Sequence, residues 1–104
     1  MNLETIEQKA KQNDAFRTGM VTNEGHRLII TSSVEELRKQ KPESFKELIR
    51  LVMAYDSFDE ETDPDHEAGV VIVDGQSYLF NIEPHGEPGK TPFKLMTIMR
   101  SEEY

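Results

Sequence analysis

Two apolar runs joined by an Asp-Gly pair restrict the fold of this chain most strongly. Residues 69–73 and 77–82 are rich in β-branched and aromatic side chains, and Asp74 and Gly75 lie between them. An Asp-Gly pair in this setting favours a tight turn, because glycine readily adopts the positive φ that such turns need. The sequence therefore predicts an antiparallel hairpin. The core residues expected from it are Val71, Val73, Leu79, Phe80 and Ile82.

Helical periodicity predicts most of the chain before the hairpin. Residues 3–16 have apolar side chains at helical spacing, with acidic residues early and lysines later, which suits the helix dipole. Residues 26–31 predict a strand, and a serine cap followed by acidic residues predicts a short helix that ends near Gln40. Pro42 suits the first turn of a longer helix. The apolar stripe of that helix is Phe45, Leu48, Ile49, Val52 and Tyr55.

The end of the chain is ambiguous between helix and strand. Residues 83–90 contain two prolines and two glycines and predict a loop. Thr91 and Pro92 then offer a cap and a first turn for a last helix, although residues 95–99 also alternate as a strand would. With the helix, the order is α-β-α-α-β-β-α. We therefore expect one α+β domain over residues 1–104, with a three-stranded, mostly antiparallel sheet packed against helices on one face.

Composition narrows the class of protein. A chain of 104 residues fits one domain. The absence of cysteine excludes disulfides, thiolate metal sites and a cysteine nucleophile. The first residues lack the features of a signal peptide, and no apolar run is as long as a membrane span, so we expect a cytoplasmic protein with no membrane partner.

Charge is concentrated in one stretch, residues 56–67, which we call the acidic segment. Residues 1–55 carry nine basic and eight acidic residues, a net charge of +1, whereas residues 56–104 carry three and twelve, a net charge of −9. Direct binding of nucleic acid is disfavoured, because that affinity comes from lysine and arginine neutralising phosphates. The carboxylates of the acidic segment are Asp56, Asp59, Glu60, Glu61, Asp63, Asp65 and Glu67.

Three interpretations of the acidic segment are open: a solvated loop, a surface for a partner, or a metal site. Its oxygen atoms would suit Ca²⁺ or Mg²⁺, and a histidine nitrogen would suit Mn²⁺ or Zn²⁺. Counted from Asp63, however, the glycine that an EF-hand loop needs at position 6 is Ala68, and position 12 is Asp74 rather than glutamate. We expect the protein to fold without metal and to need no cofactor. Candidate acid–base residues are His26, His66 and His85, none of which lies in a nucleophile motif.

A polar group on the first predicted helix is the second candidate site. Asn13 lies on the apolar stripe, beside Asp14, and Arg17 follows one turn later. A buried amide must be hydrogen-bonded, so Asn13 could tie the helix to a neighbouring backbone. Alternatively, Asn13, Asp14 and Arg17 form a patch that recognises a partner.

Several of these residues resemble a known family. The pattern comprises Asn-Asp-Ala-Phe-Arg at 13–17, an acidic loop with Asp63-Pro that runs into Gly69, the hairpin, and the ending Leu-Met-Thr-Ile-Met-Arg-Ser-Glu-Glu-Tyr at 95–104. It is similar to a domain-of-unknown-function family, number three-seven-six-eight, of small proteobacterial proteins often carried on plasmids, phages and other mobile elements. That family often has an aromatic residue before the glycine, where this chain has Ala68, so no role of that aromatic is carried over. The resemblance implies a role against host defence.

Two functions from different classes follow. The first is a non-enzymatic acidic interaction module that binds a basic protein surface, including the case of a nucleic-acid mimic that inhibits a host defence complex of anti-CRISPR or anti-restriction type. Seven carboxylates along twelve extended residues lie roughly 6 Å apart, close to the phosphate spacing of one strand. The alternative is a divalent-metal-dependent enzyme, a hydrolase that uses the acidic segment and a histidine.

Overall fold

A computed structural model describes residues 5–19, 27–86, 88–89 and 93–104, which form an α+β fold of three helices and four strands. The helices are α1 (Ile6–Gly19), α2 (Ser32–Gln40) and α3 (Pro42–Ala54). The strands are β1 (Arg27–Ile30), β2 (Ala68–Val73), β3 (Gln76–His85) and β4 (Phe93–Arg100), and a 3-10 turn follows at Ser101–Glu103. The α+β class is therefore confirmed. None of the described helices is long and apolar enough to cross a membrane.

The first helix begins with a capping box that the sequence analysis missed. The Thr5 hydroxyl accepts a hydrogen bond from the Gln8 amide at 3.1 Å, and the Gln8 side chain accepts one from the Thr5 amide at 2.9 Å. Each side chain thereby satisfies a backbone donor that the first helical turn leaves unpaired. The predicted helix begins at residue 3, which lies outside the described part of the chain.

The predicted hairpin is confirmed. Strands β2 and β3 pair in antiparallel register, and the turn between them has φ 51° at Asp74 and φ 78° at Gly75. Two successive positive φ angles are typical of a type I′ turn, whose twist matches that of the flanking strands. Four of its five expected core residues are buried: Val71, Val73, Phe80 and Ile82. The fifth, Leu79, is only half-buried, because neighbours in a strand point to opposite faces of the sheet.

The prediction of a last helix is wrong, since residues 93–100 form strand β4. Met96 and Ile98 are fully buried, whereas Leu95, Thr97 and Met99 alternate with them on the opposite face. Strand β3 is ten residues long and pairs with β4 over eight positions, so long-range pairing outweighs a local cap signal. The two residues that suggested that cap, 91 and 92, lie outside the described residues.

The extra strand also changes the sheet. Its order is β1-β4-β3-β2, and β1 pairs with β4 in parallel while the other two pairs are antiparallel. The expected count of three strands is therefore wrong, because four strands form a mixed sheet, in which two of the three pairings are antiparallel as expected. A parallel pair needs a long crossover, and the chain between β1 and β4 provides it.

The three helices pack on one face of the sheet, as expected. Phe16 of α1, Val34 of α2, and Leu48 and Val52 of α3 belong to the same buried cluster as the inward side chains of the sheet. The inward side chains at its centre are Tyr78, Phe80, Ile82, Met96 and Ile98. We call the opposite side, which bears the alternate residues of each strand, the outer sheet face.

Candidate functional site

The acidic segment is an ordered connection between α3 and β2 that uses two of its own carboxylates to fix its backbone. One oxygen of Asp59 accepts the amides of Glu61 at 2.7 Å and Thr62 at 3.1 Å. These amides, Glu61 first, lower the pKa of the Asp59 carboxyl. Further along, the two oxygens of Asp63 accept the amides at positions 67 and 68, at 2.9 and 3.1 Å. Asp59 and Asp63 therefore act as caps of consecutive turns.

The polar group of α1 holds the acidic segment from the helical side. The Asn13 amide donates to the carbonyl oxygen of Asp65 at 2.8 Å. Both carboxylate oxygens of Asp14 lie within hydrogen-bond distance of His66 Nδ1, at 2.9 and 3.0 Å. His66 has φ 61°, a conformation in which a non-glycine residue persists only if its surroundings fix it. The two candidate sites were predicted independently of each other, but the structure brings them into contact.

Arg17 links the same network to the end of α3. Its side chain is 3% exposed, and Nη1 donates to the carbonyl oxygens of Val52 at 3.0 Å and Met53 at 2.9 Å. Carbonyls in the last turn of a helix lack their usual helical partners, and the dipole there favours a cation. The Val52 oxygen also accepts the Tyr55 amide, at 3.3 Å. Nη2 donates to Asp14 at 2.9 Å. Arg17 therefore joins α1 to α3 and to the residue that holds His66.

Aromatic rings complete the support beneath the segment. The Phe58 ring lies 4.2 Å from the His66 ring in a nearly parallel stack, and the Arg17 guanidinium carbon lies 5.1 Å from its centre. Phe58 also meets Tyr55 edge to face at 4.7 Å. Tyr55 belongs to the apolar stripe predicted for α3, whereas no role was predicted for Phe58. Its position amid carboxylates was the available signal, since an isolated aromatic in a polar loop is commonly an anchor.

The network favours one of the two interpretations of the α1 group. Asn13 and Arg17 are each 3% exposed and bond within the chain, as expected of side chains that tie a helix to its neighbours. Asp14 is partly exposed and is engaged by both Arg17 and His66. Through these contacts the α1 group holds the acidic segment in position, and recognition of a partner by Asn13, Asp14 and Arg17 stays a prediction.

Four carboxylates of the segment are exposed to solvent, and we call them the acidic patch: Asp56, Asp59, Glu60 and Glu61. The other three, Asp63, Asp65 and Glu67, are half-buried, and one carboxylate oxygen from each lies within 4.8 Å of the other two. Burial, followed by the hydrogen bond with Asp65 and the charges of Asp65 and Asp63, raises the pKa of the Glu67 carboxyl. The seven carboxylates thus differ in environment although they are alike in sequence.

The half-buried cluster has the oxygen ligands that a hard cation prefers. Both oxygens of Asp63 already accept backbone amides, however, so its orientation is set by the loop. Beside the cluster lies a cavity of about 80 Å³. It is lined by Lys9, Asn13, Asp65, Glu67, Ile82, Pro84 and Lys94. Pockets for small-molecule ligands are typically about 300–1,000 Å³, so this cavity has room for a few water molecules or a very small ligand.

The candidate histidines are not brought together. His66 faces α1 on the helical side, whereas His85 ends β3 on the outer sheet face, where its Nε2 lies 3.5 Å from Glu83 and its ring stacks on Phe93. The third, His26, lies outside the described residues. The two described histidines therefore do not form one acid–base site.

Comparison of the chain with protein-family models, with curated proteins and with solved structures found no match. The resemblance to the family of unknown function therefore stays a prediction.

Proposed function

We propose that this protein is a non-enzymatic interaction module whose acidic patch binds a basic protein surface. The observation that carries the proposal is the way the segment is ordered. The side chains of Asp59 and Asp63 accept hydrogen bonds from its backbone, and Asp14 of α1 contacts its His66. Asp56, Glu60 and Glu61 remain exposed. A loop that is ordered before binding loses less conformational freedom on association, and its carboxylates steer a basic partner at long range.

The partner class follows from this charge pattern. The segment forms turns rather than an extended chain, so the spacing expected for an extended segment does not apply. What supports this partner class is the exposed negative charge of the acidic patch, which is complementary to a basic groove that normally holds a nucleic-acid backbone. We therefore propose the basic surface of a nucleic-acid-binding defence complex as the partner, with the protein acting as a mimic that occupies the groove. The setting on mobile elements that the family resemblance implies is consistent with such an inhibitor.

The metal-dependent hydrolase is supported less well. The half-buried cluster of Asp63, Asp65 and Glu67 is the observation in its favour. The neighbouring cavity of about 80 Å³ is small for a substrate, and Asp63 already serves as a double cap. We do not propose it as a second function.

A neutralised patch tests the proposal. In the patch variant, Asp56→Asn, Glu60→Gln and Glu61→Gln remove three charges and leave both capping aspartates intact. Tagged native and variant proteins are used to capture partners from the host at several salt concentrations. Displacement of a fluorescent duplex from the captured partner is then measured. We expect the patch variant to lose capture and displacement, and the native protein to lose them as salt rises, because exposed charges act over about 8 Å at physiological salt.

A matched control separates local charge from total charge. Glu36→Gln, Glu43→Gln and Glu47→Gln remove the same number of charges from the surface of α2 and α3. This control variant should capture the partner as the native protein does, and both variants should retain native circular dichroism. If the patch variant still captures and inhibits its partner, the proposal is wrong. Equal loss in both variants would also contradict it, since net charge alone would then be responsible.

A further inference from the structure

The outer sheet face carries an apolar stripe in register across three strands. Val70 of β2 pairs with Leu79 of β3, which pairs with Met99 of β4. Val70 is 50% exposed, and Ile72 on the same strand is 65% exposed. Ile29 of β1, which is 46% exposed, lies in the neighbouring row, in register with Thr97. Because α1, α2 and α3 all pack on the other side, no described element covers this stripe.

The charges of the outer sheet face are balanced and lie at one end. Arg27 and Glu83 are in register with Leu95, on either side of it. The Arg27 guanidinium lies 5.3 Å from the centre of the Phe93 ring, and His85 stacks on the same ring at 5.7 Å. The Glu83 carboxylate accepts a hydrogen bond from the neighbouring side chain at position 81. The apolar row of Val70, Leu79 and Met99 is therefore separated from the charged end by the neutral polar pair Thr97 and Asn81. Among the described residues, this face carries one charge of each sign, in a protein whose net charge is −8.

We infer that a second copy of this chain covers the outer sheet face, so that two sheets pack face to face in a dimer. Charge favours this occupant. A strongly basic or acidic partner would find no complementary charge along the stripe, whereas a second copy presents the same neutral, apolar surface. A two-fold interface uses the same patch on both subunits and must be complementary to itself. The acidic patch lies on the helical side, so its charges do not meet across this contact.

The size of the face is sufficient for a weak dimer. The four strands have 4, 6, 10 and 8 residues. At about 3.3 Å per residue and about 4.8 Å between strands, the face measures about 23 by 19 Å. Two copies would cover about 900 Å² counted flat, and projecting side chains increase this area. Specific interfaces bury about 1,000 Å² or more, so the contact lies at the lower end of that class.

The inference is tested by the mass of the full chain in solution. Sedimentation velocity is measured between about 1 μM and 1 mM, the range of weak to moderate affinities. We expect the native protein to shift from 12.0 kDa toward twice that mass as concentration rises. Ile72→Lys and, independently, Val70→Lys should raise the dissociation constant by about tenfold or more, because the lysine ammonium loses water when the face is covered. Both positions are exposed, so neither variant should disturb the fold.

The matched control is Ile6→Lys on α1, where the isoleucine is 55% exposed. It changes the same residue type and the same charge as Ile72→Lys, and it should dimerise like the native protein. A native protein that stays at 12.0 kDa throughout overturns the inference. So does a dimer that both outer-face lysine variants retain.

A second measurement locates the contact directly. On dilution of the native protein, NMR amide shifts should change at Val70, Leu79 and Met99 and stay constant at Glu60 and Glu61. Changes confined to the acidic patch would contradict a sheet-to-sheet dimer. The inference does not depend on the proposed function, because a dimer of this kind leaves both acidic patches exposed.

Discussion

Replacing Arg17 by methionine should destabilise the protein strongly, because the Arg17 side chain is buried and hydrogen-bonded. Its guanidinium donates to the last carbonyls of α3, at Val52 and Met53, and to Asp14. Methionine is apolar and of comparable length, so it can fill part of the buried space but donates nothing. The two carbonyls then lose their charged donor in a site where Arg17 was only 3% exposed.

The magnitude follows from the bonds that are lost. A hydrogen bond from a charged group contributes about 1.5–3 kcal/mol, so two of them contribute about 3–6 kcal/mol. The bond to Asp14 adds little, because that carboxylate is 38% exposed and solvent screens the pair. Burial of the methionine side chain offsets part of the loss, and we expect a net destabilisation of about 3–5 kcal/mol. Domains of this size unfold with about 5–15 kcal/mol, so the variant should be marginal.

Urea denaturation followed by circular dichroism measures the effect. With a urea slope of about 1.5–2 kcal/mol per molar, the midpoint should fall by about 2 M. The control is Arg50→Met on α3, whose guanidinium pairs with Glu47 at the surface and should matter little. The urea midpoint of Arg17→Lys should lie between those of the native protein and Arg17→Met, because lysine keeps the positive charge but lacks the planar set of N–H donors of the guanidinium. A loss below about 1 kcal/mol in Arg17→Met, well under the contribution of one such bond, would refute the reasoning.

Two further substitutions test the support of the acidic segment. Gly69→Ala should cost about 1–3 kcal/mol of unfolding free energy, because its Cβ would lie 2.6 Å from ring carbons of both Phe80 and Tyr55. An unchanged thermal midpoint would mean that these rings can move apart. The pKa of Glu67 is raised in the folded protein, so the protonated form of this side chain favours the fold. That stabilisation is fully present below pH 4.5 and is lost as pH rises through the pKa of Glu67 in the folded protein. Glu67→Gln should therefore be more stable relative to native at pH 7 than at pH 4.5. A difference that does not vary with pH would contradict the effect of burial, and of the neighbouring Asp65, on the Glu67 carboxyl.

Local sequence patterns were sufficient to predict part of the fold. The Asp74-Gly75 turn specifies its own backbone conformation, and α3 has both a proline in its first turn and an apolar stripe. These signals act within a few residues, so no tertiary information is needed to interpret them. Strand β4 differs, because residues 93–100 have side chains compatible with either period, and only pairing with β3 and β1 decides between them. The parallel pair could not be foreseen for the same reason.

The candidate site shows a similar division between local and long-range information. Asn13, Asp14 and Arg17 attracted attention because an amide on an apolar stripe needs a partner. Their long-range partners are 35 to 81 residues away in sequence, and nothing in a single sequence identifies them. His66 shows how a role predicted from residue type alone can differ from the contacts in the structure. It suggested acid–base chemistry, whereas its bond with Asp14 and its stack on Phe58 give it a positioning contact in the structure.

The environments of the individual carboxylates in the acidic segment determine which of them should be replaced in a test of the function. Neutralising all the carboxylates of the acidic segment would remove the caps at Asp59 and Asp63 together with the charged surface. Such a variant could then lose partner binding either because the loop has lost its backbone hydrogen bonds or because the charge is missing. Replacement of Asp56, Glu60 and Glu61 alone avoids this ambiguity, because the backbone amides keep their acceptors. A loss of binding in that variant would be an electrostatic effect, and its dependence on salt would confirm it.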